Sequence, residues 1–179
     1  STPIKSSAAS DVYKRQIDRL HGAGLIYDAH IMTGVAGKGR GMENAEALAQ
    51  FLNRTNPAHV VNFSMFLHKE VPLYQDIRQG TFVPADELET IREEYHLIER
   101  IAPEKAGANI LYDGFHDFIH VRVRGHLPGD KEKMLAKLNG IIQEYEGKEP
   151  VYSFVQGECP DLEYCDDGKA VWDMDRKTS

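Results

Sequence analysis

Apolar residues recur along the first half of the chain with the spacings of alternating strands and helices. Residues 25–32 are mostly apolar and lead into a glycine-rich stretch, which predicts a strand followed by a loop. A helix is predicted next, with one face formed by Ala45, Leu48, Ala49 and Leu52. Asn56-Pro57 ends this helix, and the apolar run 59–67 predicts a second, buried strand. This alternation favours βα units and a parallel sheet.

The pattern from residue 76 to 150 is more helical. Pro84 opens a predicted helix whose apolar face is formed by Leu88, Ile91, Tyr95 and Ile98. Charged residues in a helix usually face water, so we expect four glutamates of this helix to be solvated: Glu87, Glu89, Glu93 and Glu94. Asp130 is the predicted N-cap of a further helix.

Residues 118–124 alternate with period two, which predicts a strand. One face would carry Ile119, Val121 and Val123, and the other would carry His120, Arg122 and Arg124. The basic face suits an anionic group of a substrate, although a solvated basic surface is the simpler interpretation. Nearby His116, His120 and His126 suggest a metal site, but their spacing matches no standard zinc motif and the two arginines oppose a cation.

The two ends of the chain differ from the middle in amino-acid composition. Residues 1–16 are polar, and the part SAASDVYKRQ resembles a stretch that recurs at the ends of proteins predicted from assembled environmental DNA. We therefore expect residues 1–16 to be a non-native, disordered leader. Residues 151–179 are predicted to be an acidic, frayed tail.

The overall charge narrows the class of protein. The chain has 21 Lys and Arg against 28 Asp and Glu, a net charge of −7 with histidine neutral. This balance disfavours a nucleic-acid partner, and the absence of an apolar run of about 20 residues disfavours a membrane protein. The two cysteines, Cys159 and Cys165, fit a reduced, cytoplasmic compartment and match no cluster motif.

The glycine-rich loop at residues 34–41 is the most informative local feature. Glycine permits close approach of backbone to a ligand, and α/β folds bind ligands where strands end. The loop matches neither G-x-G-x-x-G nor a Walker motif, so a tight turn and a cofactor loop are both consistent with its spacing.

Several motifs, taken in order, resemble the carboxyl-terminal half of a radical S-adenosylmethionine (radical SAM) enzyme. Leu20-His-Gly-Ala-Gly24 is similar to the helix end before the fifth barrel strand of that family. Met32-Thr-Gly34-Val-Ala-Gly37 is similar to the glycine motif of that strand, and Asn56-Pro57 followed by 60–67 looks like the sixth strand. Gly125-His-Leu127-Pro128-Gly-Asp130-Lys131 resembles a G-x-L-P-x-D-K segment.

The resemblance implies an α/β fold in which residues 17–75 form the last βα units of a partial TIM-type barrel, with residues 76–150 as a mainly helical extension. It implies that Gly34 and Gly37 approach S-adenosylmethionine and that Met65, Phe66 and Leu67 border its adenine. Arg122 and Arg124 are candidate substrate contacts.

The family's cofactors are S-adenosylmethionine and a 4Fe-4S cluster held by a C-x3-C-x2-C motif. That motif does not occur in this sequence. The chain is therefore expected to be an inactive fragment of the enzyme. The alternative is a non-catalytic module that binds an anionic small molecule at the 34–41 loop.

Overall fold

The computed structural model describes residues 4–155. Its elements in chain order are α1 (Ile4–Gly22), β1 (Asp28–Thr33), α2 (Gly41–Thr55), β2 (His59–Ser64), β3 (Leu67–His68), α3 (Pro72–Gln79), α4 (Glu87–Arg100), β4 (Ile110–His116), β5 (Val121–Leu127), α5 (Lys131–Tyr145) and β6 (Phe154–Val155).

The main sheet has four strands in the order β1-β2-β4-β5. Strands β1, β2 and β4 are parallel, and β5 runs antiparallel to β4 at one edge. Strands β3 and β6 form a separate two-stranded parallel sheet. The predicted α/β class with a mostly parallel sheet is confirmed.

The region from residue 76 to 150 contains more helix than strand, as predicted, but it is not a separate extension, because it supplies β4 and β5 to the same sheet as β1 and β2. Strand β4 has the sequence ILYDGFH, which was not predicted as a strand. Its alternation is hidden because Asp113 and Gly114 interrupt the apolar pattern, although both residues are buried.

Helices α2, α4 and α5 pack on one face of the sheet and form the main core with it. The core includes Ala45 and Leu52 of α2, Ile91 and Ile98 of α4, and Leu138 of α5, packed on Ala29, Val60, Tyr112 and Val123 of the strands. Alternate strand residues point to the opposite side, which we call the open face. It carries His30, Met32, Val61, Phe63, Asp113, Phe115, Arg122 and Arg124.

Four boundaries differ from those predicted. Residues 4–22 are helical, where we expected a disordered leader to residue 16. Alanine, lysine, arginine and glutamine in this segment favour a helix, and its last residue is Gly22. Helix α4 begins at Glu87, because the Asp86 carboxylate caps it by accepting from Glu89 N (2.8 Å). Strand β1 is shifted to 28–33, and the run 59–67 divides into β2 and β3.

The strand predicted at 118–124 begins only at Val121. Residues Asp117–Ile119 form a 3-10 turn, and His120 has a left-handed backbone (φ 52°). His120 is therefore part of a turn and does not share the strand face of Arg122 and Arg124. Asp130 precedes α5 as predicted, but its carboxylate accepts from the backbone N of His126 (2.8 Å) and makes no cap bond to the helix.

Candidate functional site

A buried histidine lies beneath the carboxyl ends of the parallel strands. His116, the last residue of β4, has no exposed surface. Its Nδ1 lies 3.1 Å from Oε2 of Glu87, and its Nε2 lies 3.0 Å from Oε2 of Glu94. Both glutamates belong to α4 and are at most 2% exposed. We expected these glutamates to be solvated, and this expectation is wrong, because this side of α4 packs against the sheet.

Neutral hydrogen-bond donors bind the remaining oxygens of the two carboxylates. Oε1 of Glu94 accepts from the Tyr112 hydroxyl (2.9 Å) and from the Asn62 amide (3.1 Å). Oε1 of Glu87 accepts from the Ser64 hydroxyl (3.1 Å). A carboxylate removed from water needs such donors, so each oxygen of the pair is satisfied.

Gly114 makes room for this network. A Cβ at position 114 would overlap the Glu94 carboxylate. The glycine is required here by space and not by its backbone angle, since its φ is not in the left-handed region.

The network fixes the charge of His116. Burial alone would lower the pKa of this imidazole, but the adjoining Glu94 and Glu87 carboxylates outweigh burial and raise it to about 10. His116 is therefore an imidazolium at neutral pH and donates both N–H groups. Burial, with the negative charge of Glu94 beside it, also raises the pKa of Tyr112, which keeps its hydroxyl proton.

The glycine-rich loop is tied to α4 by the neighbouring glutamate. Oε2 of Glu93 accepts from the backbone N of Gly34 (3.0 Å), and Oε1 accepts from the Asn44 amide (2.5 Å). Burial raises the pKa of the Glu93 carboxyl, and the two hydrogen bonds oppose that rise. Glu93 thus links the end of β1 to the first turn of α2.

The glycine-rich loop packs closely on neighbouring residues at two of its glycines. A Cβ at Gly34 would lie 2.8 Å from Cγ2 of Thr90, and one at Gly37 would lie 2.8 Å from the carbonyl oxygen of Val83. Both glycines have positive φ angles, 87° and 80°. Both the limited space and the backbone angle therefore favour glycine at these positions.

Backbone N–H groups of the loop are also engaged within the protein. Gly37 N donates to Gly34 O (3.0 Å), Lys38 N donates to Val83 O (2.8 Å), and Arg40 N donates to Gly37 O (3.2 Å). With Gly34 N bound to Glu93, four N–H groups are occupied in this conformation. An anion at the loop would have to displace them.

The three residues that follow β2 occupy different environments. Met65 is half-buried beside Gly34, and its backbone N donates to Thr33 O (2.9 Å). Phe66 is 54% exposed. Leu67 is buried in β3 against Phe154 of β6, so its side chain faces a small apolar core and not the carboxyl edge.

An aromatic row crosses the open face near the same edge. The rings of Phe63 and Phe115 stack with centroids 5.6 Å apart, and His30 lies 6.5 Å from Phe63. The guanidinium of Arg122 lies 4.7 Å above the Phe115 ring, which gives a cation–π contact at the end of the row.

Arg122 and Arg124 meet at a single carboxylate. Arg122 binds both oxygens of Asp113 (2.8 and 2.6 Å), and Arg124 lies 3.6 Å from the same group. The hydrogen bonds from Arg122 lower the pKa of Asp113, despite the opposing effect of burial. One carboxylate therefore faces two guanidinium groups, and positive charge is in excess.

The spacing of the buried glutamates in the sequence indicates their burial, although their charge suggests exposure to solvent. Glu87 and Glu94 are seven residues apart, so they lie on the same side of α4 as Ile91 and Ile98. A glutamate in register with the apolar stripe is placed to be buried, and it then needs a cation or donors on the facing strand.

Within residues 4–155, no group of three or more His, Cys, Asp or Glu side chains is arranged to hold a metal ion. Cys159 and Cys165, with most of the predicted acidic tail, lie outside the described residues. In that same described part, no helix is both long and apolar enough to cross a membrane. Comparisons with protein-family models, curated proteins and solved structures find no match for this chain.

Proposed function

We propose that this chain contributes one wall of the S-adenosylmethionine pocket of a radical SAM iron–sulfur enzyme, as the carboxyl-terminal βα units of a TIM-type barrel. The observation that carries the proposal is the one-sided sheet. Strands β1, β2 and β4 are parallel, and helices α2, α4 and α5 cover one face. In a TIM-type barrel the helices lie outside and the opposite face of the sheet turns inward.

The carboxyl edge is the expected place for the cofactor in such a fold. Met65 and Phe66 follow β2 directly at this edge, next to the glycine-rich loop after β1. The exposed Phe66 ring offers an apolar surface to adenine, and the half-buried Met65 lies beside Gly34 of the loop. Leu67 supports this segment from below through its contact with Phe154.

The glycines have a positioning role on this proposal. Gly34 and Gly37 allow the loop to pack closely on Thr90 and Val83, and Glu93 holds the loop at the edge of β1. They shape the cofactor site through this packing. Arg122 and Arg124, on the open face, are substrate contacts.

The 4Fe-4S cluster would supply the electron that cleaves S-adenosylmethionine. Its cysteine motif does not occur in this sequence, so the cluster ligands would belong to another part of the enzyme and this chain alone would be inactive. The chain's own residues would bind and orient the cofactor's adenosine end.

The direct test is calorimetric titration of wild type and two single variants with S-adenosylhomocysteine, an unreactive analogue of the cofactor. Phe66→Ala should weaken binding at least about fivefold, because it removes the exposed ring that we assign to adenine. Val71→Ala truncates another exposed apolar residue, 41% exposed against 54%, and should leave affinity unchanged. Equal affinity for all three proteins would overturn the proposal.

The alternative function, a non-catalytic module that binds an anion at the 34–41 loop, has less support. Four N–H groups of the loop already donate within the protein. The cavity beside it is lined by Glu89 and Glu93 as well as by Arg92, and Arg92 already pairs with Glu146, so this lining does not favour an anion.

A further inference from the structure

A basic groove lies along the outer edge of β5, where this strand meets α5. Its volume is about 440 Å³, and four of its six lining residues are cationic: Arg122, Arg124, Lys133 and Lys137. The other two, Val123 and Met134, are apolar. Such a concentration of positive charge is unexpected in a chain with a net charge of −7.

Asp113, which pairs with the two arginines of the groove, does not neutralise it. Asp113 is bound by Arg122 through both oxygens and is also close to Arg124 (3.6 Å). Lys133 and Lys137 add two further charges from α5. The side chains of Arg122 and Arg124 remain 52% and 54% exposed, so both are accessible to a ligand.

The backbone of the strand edge limits what kind of ligand fits. Lys137 Nζ donates to the carbonyl oxygen of Arg122 (2.6 Å), and the Asp130 carboxylate accepts from the N–H of His126 (2.8 Å). In an antiparallel pair, every second residue directs its backbone groups outward, so those of Arg124 point outward between the two capped positions. A peptide strand would have to displace both side chains, whereas a small anion would not.

We propose that this groove binds the polyphosphate group of a small molecule. The guanidinium fork of Arg124 matches the paired oxygens of a phosphate group, Arg122 and the two lysines add positive charge, and the outward N–H of Arg124 adds a backbone donor. The volume lies within the usual range of small-molecule sites. The existence of this binding site does not depend on the proposed function. Only the assignment of the polyphosphate group to the enzyme's substrate rests on that function.

The test is calorimetric titration of the full chain with inorganic tripolyphosphate. The double variant Arg124→Gln/Lys133→Gln should bind at least about tenfold more weakly than wild type, because two of the four cations are lost. The control is Arg54→Gln/Arg78→Gln, which removes the same charge from exposed positions on α2 and α3 and should change affinity less than about twofold.

Equal weakening in the two double variants would overturn the inference, since it would indicate an effect of net charge only. Absence of saturable binding to wild type would also overturn it. In an NMR titration of the wild-type protein, tripolyphosphate should shift the backbone amide signal of Arg124. This measurement does not depend on whether any variant folds. A nucleoside triphosphate that binds no more tightly than tripolyphosphate would assign recognition to the phosphates alone. S-adenosylhomocysteine titrated into the groove variant reports separately on the proposed function.

Discussion

Nε2 of His116 lies 3.0 Å from Oε2 of Glu94, and neither side chain is exposed to solvent. This contact joins the last residue of β4 to α4, the helix that also holds the glycine-rich loop through Glu93. A buried charge without a partner is costly, so each member of the pair makes the other necessary. The carboxyl edge of the sheet is thus held by an ionic network and not by apolar packing alone.

Replacing one member of this pair should strongly destabilise the fold. We expect Glu94→Gln to lower the free energy of unfolding by about 3–5 kcal/mol, because His116 loses half of its compensating charge in the interior. Urea unfolding monitored by circular dichroism measures this change.

Glu99→Gln is the matched control, because Glu99 lies on the same helix and pairs with Arg100 at the surface. It should cost less than about 1 kcal/mol. Similar losses for the two variants would contradict the assignment of Glu94 as a buried counter-ion.

The same network predicts how stability depends on pH. The pKa of His116 is about 10 in the folded chain against about 6.5 when unfolded, so folding favours the protonated ring. Its contribution is complete below about pH 6.5 and is lost as pH rises through about 10. The free energy of unfolding should therefore fall between about pH 7 and 9, by at most about 1.4 kcal/mol per pH unit.

The comparison for this pH dependence is His116→Gln against His126→Gln, since His126 is exposed. The first should have a flatter profile than wild type, and the second should match wild type. Nitrogen-15 NMR of the wild-type histidines gives an independent check. A neutral His116 ring at about pH 8 would contradict the charged network.

The loop glycines offer a test that separates backbone strain from packing. Gly34 and Gly39 both have positive φ, 87° and 74°, but only a Cβ at Gly34 would meet another residue, Thr90. Gly39→Ala should cost about 1–2 kcal/mol from the backbone alone, and Gly34→Ala should cost about 1–3 kcal/mol more.

Thr90→Ser removes the methyl group that Gly34→Ala would strike and keeps the hydroxyl, which donates to Glu87 O (2.9 Å). The double variant Gly34→Ala/Thr90→Ser should therefore recover part of the loss, measured by urea unfolding. Additive losses would show that the contact with Thr90 is not the reason for glycine at this position.

Glu93 should control the order of the loop. Glu93→Ala leaves the Gly34 N–H without its acceptor, so we expect a loss of about 1–3 kcal/mol in unfolding free energy and faster amide hydrogen exchange at Gly34. Glu89→Ala, one helical turn earlier, should leave that exchange rate unchanged. Unaltered exchange in Glu93→Ala would show that the loop is ordered without this carboxylate.

The sequence predicted the elements whose apolar periodicity is uninterrupted. Helix α2 has small and apolar residues at regular helical spacing, and β2 has two consecutive β-branched residues, Val60 and Val61, near its start, so local pattern and burial agree. Strand β4 was missed because Asp113 and Gly114 are buried there for tertiary reasons: one binds Arg122, and the other makes room for Glu94.

The candidate site was predicted only in part. The glycine-rich loop and the end of β2 do meet, as Gly34 and Met65 show. Glu87, Glu93 and Glu94 were assigned to solvent because a charge is normally exposed. Their burial depends on His116 and on the backbone of Gly34, which are 22 or more residues away in the chain and are brought together only by the fold.

The measurement that tests the central claim most directly is NMR of the chain with carbon-13 labelled methionine methyl groups, titrated with S-adenosylhomocysteine. Met65 lies at the proposed adenine site, whereas Met134 is buried between α5 and the sheet, on the side away from the open face. At millimolar ligand, where a Kd of about 1 mM gives substantial occupancy, the Met65 signal should shift and the Met134 signal should not. A Met65 signal that stays unchanged at these concentrations would contradict a cofactor site at the carboxyl edge of this sheet.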